Sequence, residues 1–227
     1  DALMCHVNDF KEYDKTIATY GVLRGTYNVI KKAKNFYYID HGYFGQSTRK
    51  FENKRTKVLD MDGYFRIVYN NFIHDGSGNY PDDRLKKLKL NFLEQKKTGE
   101  EIILSEPSET MKKIYNAHNW VDETKNFVKK FSDRKIIVHN KFSKKPLDEL
   151  LKKAWSFVSL QSTAGFKAMV NGVPAYFTEP SLRSINNIEE MENPKINYKI
   201  FNSLAYGQWT LREIESGEAW NNISKNT

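Results

Sequence analysis

Four small residues, Ser162-Thr163-Ala164-Gly165, stand between an apolar run and an amphipathic one. The run Ser156–Leu160 reads as a buried strand, and Ser162–Asn171 reads as a helix stopped by Gly172. A helix that opens on such a turn presents free backbone N–H groups and the positive end of its dipole, and small residues let an anion come close. The chemistry this allows is phosphate binding. Plain N-capping by Ser162 or Thr163 accounts for the same residues. Lys141 follows a second apolar run, Lys135–His139, in the loop Asn140-Lys-Phe-Ser-Lys-Lys. A lysine beyond the end of a strand can neutralise a leaving diphosphate, or it can simply be solvated.

Two constellations in the first half could move protons or hold metal. Asp40-His41-Gly42-Tyr43 closes the strand-like run Phe36–Ile39, and either Asp40 or His41 could act as general base on an acceptor hydroxyl. The plainer reading is a turn with a surface histidine. Asp60-Met-Asp62 has D-x-D metal spacing, but Gly63 follows between two strand-like runs, which suggests a hairpin turn. The five histidines lack H-x-x-x-H spacing, and Cys5 is the sole cysteine, so neither a metal site nor a disulfide is expected. The P-loop, dinucleotide and nucleophile-elbow motifs are absent.

These groups need elements to position them. The second half alternates regularly: strand Glu101–Leu104, helix Trp120–Phe131, strand Lys135–His139, helix Pro146–Ala154, strand Ser156–Leu160, helix Ser162–Asn171, strand Val173–Thr178. That rhythm implies parallel βαβ units, which bind ligands beyond the carboxyl ends of their strands. Ser105, Ser108, His139, Lys141, Ser162, Thr163, Ala164, Gly165 and Glu179 all fall at or after such ends. In the first half, Ala2–Val7 reads as a strand and residues 14–34 as a helix with Ile17, Tyr20, Leu23, Tyr27 and Ile30 inward. Lys57–Leu59 and Tyr64–Tyr69 read as strands, residues 84–97 as a solvated helix or linker, and 197–223 as mostly helical.

The order "strand, S-T-A-G-x-x-A, x-x-x-G-x-P, strand" resembles the donor-binding segment of GT-B fold glycosyltransferases. Ile103-Leu-Ser-Glu-Pro-Ser-Glu resembles the first strand and loop of their C-terminal domain, and Asp133-Arg-Lys-Ile-Ile-Val-His-Asn-Lys their "D-R-x-I-x-x-R-x-K" strand. Tyr38-Ile-Asp-His-Gly-Tyr-Phe and the stretch Leu204–Trp220 are similar to segments of phage- and bacterium-encoded glycosyltransferases. The resemblance implies a GT-B-like α/β fold: two small Rossmann-like lobes facing a cleft, 1–97 for the acceptor and 98–227 for the nucleotide-sugar donor, with a C-terminal helix crossing back. It implies transfer of a sugar from a nucleotide sugar, in the first place a UDP-sugar, to a hydroxyl, without metal or other cofactor. Donor contacts would fall to Ser105, Ser108, His139, Lys141, Ser162, Thr163, Ala164, Gly165 and Glu179. Two departures stand out. Lys167 replaces the acid of "G-x-E-A", which leaves Glu179 or Glu106 to meet a ribose, and His139 replaces an arginine.

Charge bears on the acceptor. Of a net +8 over 227 residues, residues 1–97 carry 18 Lys/Arg against 12 Asp/Glu, and residues 98–227 carry 18 against 16. A basic first lobe attracts polyanions, although a composition rich in Lys and Asn gives the same sign. Tyr43, Arg49, Lys50 and Arg55 are the expected acceptor contacts, with a hydroxylated base in phage DNA as one acceptor and an envelope or capsule glycan as the other. A non-catalytic nucleotide or nucleic-acid binding protein is the alternative class. With 39% hydrophobic and 14% aromatic residues the chain can build real cores. One cysteine and no apolar run of membrane length point to the cytoplasm.

Overall fold

A computed structural model describes residues 4–11 and 13–225. The chain forms two compact units, one of residues 1–88 with 201–227, the other of residues 89–200. The division therefore falls earlier than residue 97, and the tail, expected in the second lobe, belongs to the first unit.

The second unit is a Rossmann-like α/β layer. Its strands β6 (Glu101–Ser105), β7 (Lys135–His139), β8 (Ala154–Ser159) and β9 (Ala175–Phe177) pair entirely in parallel, in the order β7-β6-β8-β9. Parallel strands buried on both faces read as continuous apolar runs, and every residue of β8 is buried. Between them lie α3 (Glu109–Ile114), α4 (Trp120–Val128), α5 (Leu147–Leu151) and α6 (Thr163–Val170). Alternate residues along β8 face opposite layers. Val158 and Leu160 join Trp120, Val128 and Met191 in one core cluster. On the other layer α6 packs on β8 and β9, with Phe166 and Phe177 ring centroids 5.2 Å apart. No helix among the described residues is long and apolar enough to cross a membrane.

The first unit departs from the doubly wound lobe that was expected. Its main sheet has the order β1-β2-β5-β10, and only β1 (Thr16–Tyr20) and β2 (Asn35–His41) pair in parallel, around α1 (Thr26–Lys32). β5 (Tyr64–Tyr69) is antiparallel to both β2 and β10 (Gln208–Thr210). A separate two-stranded ribbon joins β3 (Arg49–Phe51) to β4 (Lys57–Leu59). Asp60–Gly63 thus links two sheets and is not a hairpin turn. The run Thr16–Tyr20, expected in a helix, is β1: Ile17 and Tyr20 also suit a strand, and positive-φ glycines at 21 and 25 hold the helix back to Thr26. Of the expected strand Ala2–Val7, residues 2 and 3 lie outside the described residues; the remainder forms no strand, and Met4 is fully exposed.

The tail is fixed in the first unit by Arg84 of α2 (Asp83–Leu88). This buried guanidinium bonds Glu213 Oε1 at 2.8 Å and Oε2 at 3.1 Å, and donates to the carbonyls of Ala205 (3.1 Å) and Gln208 (2.8 Å). It also stacks 3.9 Å from the Trp209 ring centroid. Glu213 is the acid of a capping box with Thr210, which starts α8 (Leu211–Glu215). α7 (Ile200–Tyr206) and α9 (Glu218–Ile223) complete the tail.

Candidate functional site

In the second unit the strand order reverses between β6 and β8. From β6 the chain moves outward to β7, then crosses back to β8 and on to β9. Such a switch point opens a crevice at the carboxyl ends of the strands. The ends align in register, with Ser105 of β6 opposite His139 of β7 and Ser159 of β8. The loops carrying Glu106–Ser108, Asn140–Lys141 and Gln161–Thr163 therefore leave one sheet edge. The sequence assigned donor contacts to these three loops.

Their side chains are differently engaged. Ser162 caps α6, accepting from Ala164 N–H at 3.2 Å, while Gly165 N–H donates to the Ser162 carbonyl at 2.9 Å. Thr163, half-buried, keeps its N–H and hydroxyl without acceptors among the described residues. The turn thus offers an anion one amide and one hydroxyl, fewer donors than the bare motif suggests. Ala164 is half-buried beside them. Gly165 is buried and faces the sheet: a Cβ there would lie 2.6 Å from Phe177 Cζ. Its smallness serves the packing of helix on sheet.

Lys141 is exposed, with its Nζ 4.9 Å from the Phe142 ring centroid and no carboxylate partner among the described residues. Ser108 caps α3, accepting from Met111 N–H at 3.3 Å. Glu106 accepts from Lys112 Nζ at 2.6 Å and Asn140 Nδ2 at 2.9 Å, so it ties the β6 and β7 loops together. Those bonds hold its carboxyl below the usual range. Glu179 caps the 3₁₀ turn Pro180–Leu182, accepting from Ser181 N–H at 2.9 Å. Lys167, in place of the acid, pairs with Asp148 at 2.7 Å. Among the described residues, the buried Ser159 Oγ and Gln161 Oε1 at this edge lack partners.

A feature the sequence reading missed is a cavity of about 500 Å³ on the α4 side of this edge. Tyr115, Trp120 and Phe127 wall it, Leu160 and Thr178 come from the strand ends, and Arg183 stands at its border. Trp120 Nε1 donates to Thr178 Oγ at 2.7 Å, and Arg183 Nε to the Thr178 carbonyl at 3.2 Å. Phe127 read as an inward residue of the helix that begins at Trp120, and Tyr115 stands at the end of α3, so nothing in the sequence separated cavity wall from packing. Ser162–Gly165 are not among the lining residues.

In the first unit Asp40 is committed. Its Oδ2 accepts from Arg66 at 2.9 Å and from Tyr38 Oη at 2.6 Å, and its Oδ1 from His41 N–H at 2.8 Å. Both carboxylate oxygens are therefore already engaged by groups of the fold. His41 is exposed, its Nδ1 2.8 Å from Thr48 Oγ and its Nε2 3.5 Å from Tyr20 Oη. Of the expected pair, the imidazole is the more exposed, and its Nε2 contact is the longer of its two. Tyr43, expected to touch an acceptor, is a core residue: burial pushes its hydroxyl up to about 12, and it accepts from His74 N–H at 2.8 Å. Asp60 and Asp62 are occupied by Lys50 (3.2 Å) and Arg212 (2.7 Å). Arg49 and Arg55 are exposed on the β3–β4 ribbon, as is Lys50.

No protein-family model matches the chain, and no curated protein is significantly similar to it.

Proposed function

We propose that this protein is a glycosyltransferase that binds a nucleotide-sugar donor, in the first place a UDP-sugar, on its second unit. One observation carries the reading: an all-parallel sheet with a switch point, whose edge gathers the β6, β7 and β8 loops that resemble GT-B donor segments. Thr163 N–H and hydroxyl would bond the diphosphate, and Lys141 would supply the opposing charge. The aromatic cavity walled by Tyr115, Trp120 and Phe127 suits a planar base. In the transfer itself the bond from the anomeric carbon to the diphosphate oxygen breaks, and a bond to the acceptor oxygen forms. The acceptor proton goes to a base, which we assign to His41 in preference to Asp40.

A second reading, nucleotide binding without catalysis, is favoured by the commitment of Asp40 to Arg66 and Tyr38. One experiment separates the two. Incubation with a panel of UDP-, GDP- and ADP-sugars, with release of free nucleoside diphosphate as readout, should show turnover for one donor. That turnover should fall at least about 100-fold in His41→Ala. Saturable nucleotide binding with no release from any donor selects the second reading, and no binding at all defeats both.

A further inference from the structure

The β3–β4 ribbon stands outside the main sheet of the first unit and buries almost nothing. Of the nine residues Arg49–Lys57, all are exposed, and five are Lys or Arg against the single acid Glu52. Strand register sorts the side chains by face. Arg49 pairs with Leu59 and Phe51 with Lys57, so these four share one face, while the middle pair Lys50–Val58 turns the other way. The Lys50–Val58 side is anchored: Lys50 reaches the buried Asp60 at 3.2 Å, and Val58 is half-buried. The opposite face points to solvent, with Phe51 61% and Leu59 55% exposed. Lys57 Nζ lies 5.1 Å from the Phe51 ring centroid. Lys54 and Arg55 extend the positive charge across the turn. Arg49, Lys54, Arg55 and Lys57 form no ion pair among the described residues, so the ribbon's charge is not neutralised within the fold.

An exposed aromatic ring set among unpaired cations is a combination with a specific use. Cations alone would suit any polyanion. An exposed Phe ring beside them offers a stacking platform for an unpaired base, while the cations follow the phosphates. A duplex hides its base faces from such a ring. We propose that the outer face of this ribbon binds single-stranded nucleic acid, with Phe51 stacking on a base and Arg49, Lys54, Arg55 and Lys57 contacting the backbone. The assignment is independent of the glycosyl-transfer reading and would stand if the second unit bound no nucleotide.

The test is fluorescence anisotropy with a labelled oligothymidylate of about 12 nucleotides, within the span of one stacking module. The intact protein should bind it with log K falling against log salt at a slope of about −3, four contacts at roughly 0.7 each. Phe51→Ala should weaken binding about 5- to 150-fold while leaving that slope unchanged. Lys54→Ala with Arg55→Ala should flatten the slope by about 1.4. All three side chains are exposed, so melting temperature should not move, and an unchanged melt certifies each variant as folded. Three results overturn the proposal: no binding, wild-type affinity in Phe51→Ala, or a duplex of equal charge bound as tightly as the single strand.

Discussion

Substituting Gly165 by alanine distinguishes a packing glycine from a ligand glycine. In a helix interior the exchange should stabilise by about 1 kcal/mol, because glycine gives up more backbone freedom on folding. Here the added Cβ would meet Phe177 Cζ at 2.6 Å, Cε1 at 2.8 Å and the Ala175 Cβ at 3.4 Å. The Phe177 ring is 3% exposed and is backed by Phe166 at 5.2 Å, so it has little room to swing away. Overpacking of this kind costs about 1–3 kcal/mol. The two effects leave a net loss of about 1 kcal/mol, or roughly 2–4 °C in melting temperature for a chain of this size. Thermal denaturation of Gly165→Ala reads it directly. Adding Phe177→Leu should recover part of the loss, with a coupling of about 0.5–3 kcal/mol. UDP affinity of the folded variant should equal wild type, since Gly165 N–H already donates to the Ser162 carbonyl. A rise in melting temperature would refute the packing argument. An unchanged melt with lost UDP binding would return Gly165 to the ligand site.

Further outcomes follow from the same geometry. Lys141→Ala should weaken UDP binding about 10-fold, the scale of one charge-assisted hydrogen bond, with no change in melting temperature because the side chain is exposed; titration calorimetry reads the affinity and thermal denaturation the melting temperature. Arg84→Met should cost about 3–5 kcal/mol by leaving Glu213 without its guanidinium, read as a lower urea midpoint. The half-buried His74 gives the first unit a pH dependence. Burial lowers its imidazole below the ordinary value despite Asp75 beside it. The unfolded chain therefore binds the proton first, and stability should decline as pH falls below about 6.5. His74→Gln should flatten that decline between pH 7 and 5 in urea titrations.

How much of this was legible in the sequence depended on the range of the interactions. The parallel core was readable because a strand buried on both faces is an unbroken apolar run, as β8 is; the edge strand β7 also has its expected bounds, and α6 sits where the Ser162 cap and Gly172 stop put it. β1 was misread because Ile17 and Tyr20 fit helical spacing although both are residue types that strands favour, and pairing with β2 decided between the two. β10 has three residues, and its place beside β5 comes from Arg84, which reaches residues more than a hundred positions away. At the candidate sites the residue types were readable but their engagement was not. Asp40 looked like a free carboxylate until Arg66, 26 positions on, was brought across the strand pair. The Phe51 platform went unremarked because its exposure depends on which way the ribbon turns.

The central claim is that the carboxyl edge of the second unit's sheet is a nucleotide site. A crystal structure of the protein with UDP tests it most directly. Phosphate oxygens should lie within hydrogen-bond distance of Thr163 N–H and hydroxyl, with Lys141 drawn from the Phe142 ring toward them and the base among Tyr115, Trp120 and Phe127. Phosphates bound away from Ser162–Gly165, with Lys141 still in solvent, would contradict it and leave Ser162 a helix cap and nothing more.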